Sequence, residues 1–173
     1  VCIPTERSDF IDLPPTSPYY DAVKCLRDNY CEIAGTSPTT FEPNRIITRA
    51  EAIAFISRHH VQAVGDWQWK SPTTPSFTDV PLNHLFYVQI ETAKFYGFIA
   101  GIPGPGGTFS FNPAGDWVYG FCGITNPCAT PPGTMTRGEY VLALYQFGLA
   151  KNQLPLCVSS SPTPSITPTP SPS

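Results

Sequence analysis

The sequence predicts a mainly α fold made of tandem helix–loop–helix repeats with long irregular loops, stapled by disulfides and followed by an extended Pro/Ser/Thr tail. Three observations carry this expectation. Ile47-Thr48-Arg49-Ala50-Glu51 returns downstream as Met135-Thr136-Arg137-Gly138-Glu139. In each, Thr followed three residues later by Glu is a capping box: the hydroxyl accepts from the third helical N–H and the carboxylate reaches back to the cap's own N–H. The upstream segments recur too. Phe10-Ile11-Asp12-Leu13-Pro14 matches Phe77-Thr78-Asp79-Val80-Pro81, and Phe41-Glu42-Pro43 matches Phe111-Asn112-Pro113. Finally, residues 159–173 hold five prolines and nine Ser or Thr, a composition that cannot bury a core and favours extended polyproline II.

In chain order, residues 1–74 form the first repeat with its lead-in and linker. Pro14-Pro15 forces a turn, and Ser17 is placed to cap a helix opening at Pro18. Tyr19, Val23, Leu26 and Tyr30 then fall on one face. The first capping box starts a helix from Arg49 to about His60. A linker with Trp67 and Trp69 follows; these rings either pack across the repeat junction or stack on a sugar. Residues 75–158 form the second repeat. Asn83 caps a helix carrying Phe86, Ile90 and Ala93, Gly97 stops it in the left-handed region, and the second box starts a helix from Arg137 to about Phe147. Thr136 stands 23 positions after Pro113, whereas Thr48 stands five after Pro43. The resulting insertion, about residues 114–134, contains Trp117, Tyr119 and Phe121, which are candidate assembly contacts or a lid over the repeat's own core.

Composition narrows the function. Charged residues are 13% of the chain and the net charge is −3, with no basic cluster to meet nucleic acid. No apolar run approaches the roughly 20 residues of a membrane span. None of the six cysteines forms a Cys-x-x-Cys pair, so no metal site is expected and an oxidising, extracellular compartment is. Proximity pairs Cys25 with Cys31 and Cys122 with Cys128, leaving Cys2 for Cys157, among fifteen possible connectivities. The start at Val1 fits a removed signal peptide or a fragment. The tail reads as O-glycosylated, with Thr163, Ser165, Thr167, Thr169 and Ser171 beside prolines.

Phe-x-Asp-Val/Leu, a Tyr-bearing helix, a Gly-x-Ile-x-Gly-like turn, Phe-x-Pro and Thr-Arg-Ala-Glu, in that order and twice, resemble the S-layer homology repeat over about residues 8–60 and 75–150. The resemblance implies a prokaryotic cell-envelope protein, and binding of pyruvylated wall polysaccharide by Arg49 and Arg137, with Asp12 and Asp79 more weakly. A guanidinium against a ketal carboxylate is a charge-assisted pairing. The same residues also admit a structural use, the arginines bonding to loop carbonyls at helix starts and the aspartates capping turns. The family usually arranges three repeats, and two are visible here.

No catalytic constellation, cofactor motif or phosphate-cradling loop is present, and His59-His60 lack metal-ligand spacing. The sequence is therefore read as a non-enzymatic envelope subunit that assembles with copies of itself into a filament or layer, burying the face a third repeat would cover. The alternative is a wall-anchoring module whose tail links to cargo.

Overall fold

The computed structural model describes residues 8–115 and 134–157. Within them lie four α-helices: α1 (Tyr20–Asp28), α2 (Arg49–His59), α3 (Tyr87–Phe95) and α4 (Arg137–Ala150). A π-helical turn, His60–Val64, prolongs α2 and stops at Gly65 with φ 75°. A two-residue hairpin pairs β1 (Ile102–Pro103) with β2 (Phe109–Ser110). The mainly helical expectation holds. The insertion aromatics Trp117, Tyr119 and Phe121, Cys2, Cys122 and Cys128, and the tail hydroxyls from Thr163 to Ser171 lie outside the described residues.

Both capping boxes form as read. Thr48 accepts from Glu51 N and Thr136 from Glu139 N, with each Glu carboxylate accepting from the cap's N–H. The other two helices start later than the sequence predicts. Tyr19 N–H donates to Ser17 Oγ at 3.3 Å, but Pro14–Ser17 closes a turn of its own and regular helix begins only at Tyr20. Likewise His84, not Asn83, supplies the acceptor before α3, its Nδ1 taking the Phe86 N–H.

The helices pack from one repeat to the other, α1 on α4 and α2 on α3. The core between them is Leu26, Ile33, Phe41, Ile47, Ile53, Phe77, Ile90, Phe111, Tyr140 and Leu144, all essentially solvent-free. Gly138 stands where the first motif has Ala50, and packing gives the reason. A Cβ there would come 2.5 Å from the ring of Tyr19, the residue before α1, so one of the two would have to shift.

The strands of chain entering α2 and α4 run antiparallel, bridged at Ile46 and Thr136, with Ile47 N–H donating to Met135 O. Beyond that bridge each helix start is completed by the opposite loop. Arg137 and Gly138 N–H donate to Arg45 O and Pro43 O; Arg49 and Ala50 N–H donate to Gly115 O and Pro113 O. A helix leaves its first N–H groups without intrahelical partners. Here the first two go to the facing loop and the third to the Thr cap, so these amides are occupied.

The disulfides differ from the pairing that sequence proximity favours. Cys25 bonds Cys157, 132 positions away and 5.7 Å between Cα atoms; neither the Cys25–Cys31 nor the Cys2–Cys157 pairing occurs. Cys31 is bonded in a separate disulfide. The cause is tertiary: Leu156 N–H donates to Tyr30 Oη and Asn29 Nδ2 to Leu156 O, which brings the 3₁₀ turn Pro155–Cys157 onto the end of α1. Sequence neighbours lose to spatial ones.

Candidate functional site

The four residues singled out by sequence form two matched clamps. Asp12 accepts from Phe41 N–H at 2.9 Å and Glu42 N–H at 2.6 Å. Asp79 accepts from Phe111 N–H and Asn112 N–H, both at 2.7 Å. Each carboxylate thus pins a loop about thirty residues away, where Glu42 and Asn112 take left-handed φ of 59° and 57°. The pinned phenyl rings meet Phe10 and Phe77, at 5.8 and 5.5 Å between centroids.

Each arginine then reads the loop pinned by the other cluster. Arg137 Nε donates to Phe41 O at 2.9 Å, and Arg49 Nε to Phe111 O at 2.9 Å. Their guanidiniums lie over the same two rings, at 4.8 and 4.9 Å. Arg137 goes further: Nη1 donates to Glu51 Oε1 at 2.8 Å and Nη2 to Ala34 O at 3.0 Å, with Phe55 on its flank. It is 2% exposed. Burial lowers its pKa, with the Glu51 charge opposing, yet an arginine stays protonated at any workable pH. Burial also pushes the Glu51 carboxyl up, but Arg45, the Thr48 N–H and the two guanidinium charges outweigh it, and its pKa ends below the usual range.

Residues 9–53 match the model of the S-layer homology domain. The first repeat, though not the chain as a whole, is therefore similar to an S-layer homology domain. No curated protein matches the chain. The match takes in Asp12, Phe41, Arg49 and the first capping box, so the clamp and the helix start belong to the matched segment. S-layer homology domains are non-catalytic modules of the cell surface that bind wall polysaccharide. Among the described residues no helix is long and apolar enough to cross a membrane, and no cluster of His, Cys, Asp or Glu could hold a metal ion.

Sequence reasoning missed a buried polar joint beside these clamps. Glu32, just past α1, lies 3.1 Å from His59 Nδ1, and His59 Nε2 lies 3.2 Å from Gln153 Oε1. Both Glu32 and His59 side chains are fully buried. Since the Gln153 oxygen only accepts, Nε2 carries a proton in this arrangement. Burial pushes Glu32 up, offset in part by His59. Burial pulls His59 down, but the Glu32 hydrogen bond and charge outweigh it and hold the imidazole above its ordinary range. Next to it His60 pairs with Asp66 at 2.9 Å and stacks on Trp67, which stacks in turn on Tyr96. Trp67 thus fills the junction, while Trp69 is 39% exposed. No motif marks these partners, which stand 27 and 94 residues from His59.

Proposed function

We propose that the chain is a cell-envelope anchoring module: two S-layer homology-like units, 1–74 and 75–158, closed on each other and holding a pyruvylated wall polysaccharide. The family match over residues 9–53 carries this reading. The reciprocal bonding supports it further, since each unit completes the other's helix start and loop, and a pair closed in this way needs no second copy to finish its core. In this reading Asp12, Asp79 and Arg137 shape the loops, and Arg49, half-buried at a loop edge, meets the ligand. The tail links to cargo and carries O-glycans at Thr163, Ser165, Thr167, Thr169 and Ser171.

The test is co-sedimentation of the 173-residue chain with wall sacculi before and after chemical removal of their polysaccharide. Binding only to the untreated walls is expected; equal recovery from stripped walls, or none from either, sinks the reading. Assembly into a filament or layer is the second reading. It is favoured by Ile11 and Leu85, which stand 78% and 82% exposed on loops, and by the insertion aromatics Trp117, Tyr119 and Phe121 as contacts. Electron microscopy of concentrated protein separates the two, because regular polymers form only in the second.

A further inference from the structure

At the C-terminal end of α3 the surface changes character. Phe95 is 65% exposed and Phe109, on β2, is 43% exposed; among the described residues only Trp69 of the other large aromatics is comparably open. Two ammonium groups sit on these rings. Lys70 Nζ lies 4.4 Å from the Phe95 centroid and 6.0 Å from that of Tyr96; Lys94 Nζ lies 5.8 Å from that of Phe109. Phe95 and Tyr96 meet edge to face at 5.1 Å. Among the described residues neither lysine has a carboxylate partner, whereas Lys24, Arg27, Arg45 and Arg137 all do.

We propose that this ridge, Lys70–Phe95–Lys94–Phe109, is a second contact face for an acidic polysaccharide, separate from Arg49, with sugar C–H faces on the phenyl rings and sugar carboxylates on the ammoniums. This deepens the anchoring reading and rests on it. Charge complementarity selects the occupant. In an acidic chain, two cations left on aromatic faces are held by weak, easily exchanged contacts, and a carboxylate offers each a stronger charge-assisted bond. A sugar ring presents both parts at once, an apolar face and an equatorial rim of polar groups. A second copy of the chain would have to cover the lysines with carboxylates, and those of this chain are largely committed to internal partners: Asp9 and Asp28 to Lys24, Glu42 and Glu51 to Arg45, Asp12 and Asp79 to loop amides, Glu91 to Ser76. The face lies outside residues 9–53.

The test uses the full chain, a short polyglucuronate oligosaccharide, its carboxyl-reduced neutral counterpart and purified wall polysaccharide, read by calorimetry and sedimentation. The variants are Phe95→Ala/Phe109→Ala and Lys70→Gln/Lys94→Gln, all at exposed or half-buried positions, with Lys24→Gln, at an ion-paired lysine, as the charge control. The expected result is binding of the uronate but not its reduced form, weakened about tenfold by either patch variant and by added salt, and unchanged in the control. Variants that bind uronate and wall polysaccharide like wild type overturn the patch and leave the anchoring reading standing. A wild type that binds neither overturns both. Equal binding of the reduced sugar, or a dimer that Phe95→Ala/Phe109→Ala dissociates, overturns the saccharide assignment.

Discussion

Arg137→Ala tests the view that the motif arginine is a structural rivet. The substitution removes three hydrogen bonds at 2.8–3.0 Å from a side chain 2% exposed. Phe41 O and Ala34 O lose their side-chain donor, and Glu51 keeps Arg45 but loses its second cation. Removing one partner of a buried pair costs about 3–5 kcal/mol, mostly because the groups left behind are dry. A domain is stable by about 5–15 kcal/mol in total, so the variant should unfold at markedly lower urea. Arg137→Lys keeps the charge but not the planar fork; one carbonyl left unmatched costs about 1–3 kcal/mol. Urea unfolding is read by tryptophan fluorescence, since Trp67 is 9% exposed between His60 and Tyr96. If Arg137→Ala lies within about 1 kcal/mol of wild type, below the range for a buried pair, the rivet reasoning is wrong.

Four further outcomes follow from the same geometry. Asp79→Ala strands the Phe111 and Asn112 amides and should lower stability by about 1–3 kcal/mol, whereas an unchanged urea midpoint would show that water replaces the carboxylate. Thr136→Ala removes one acceptor at the start of α4 and should cost about 0.5–2 kcal/mol, again by urea. Non-reducing peptide mapping should link Cys25 to Cys157, and Cys25→Ser/Cys157→Ser should lose about 2–4 kcal/mol. The Glu32–His59 joint sets a pH dependence. Both groups have raised folded values, against ordinary values of 4.5 and 6.5. Each contribution is therefore complete below the ordinary value and disappears as pH rises through the folded one. Urea midpoints should fall as pH rises above these ordinary values and fall less in Glu32→Gln/His59→Gln; a midpoint that rises with pH there contradicts the joint.

The local signals were legible because their physics is local. A Thr and a Glu three residues apart define a capping box without any help from the rest of the chain, and both boxes stand where the motif puts them. Gly97 takes φ 72° at the end of α3 for the same reason. The partners of Asp12 and Arg137 were not legible, because those bonds span 29 and 96 positions. Sequence could offer only the residue types and two uses for each, ligand binding or loop bonding. Cys25 shows the limit most plainly: nearness along the chain favoured Cys31, while the docking of Leu156 on Tyr30 decided for Cys157. The exposed lysines beside Phe95 and Phe109 left no periodic mark, since surface chemistry has no spacing rule.

The bond between Cys25 and Cys157 also decides how the molecule would carry tension. Pull on residues 158–173 and the load does not first peel the turn after α4. It passes through the sulfur bridge into α1, near the opposite end of the sequence, and α1 lies against α4. Force from the tail is then shared between two packed helices instead of falling on one turn after another. Reduction would remove that shunt and leave the hydrogen bonds at Leu156 as the first to yield.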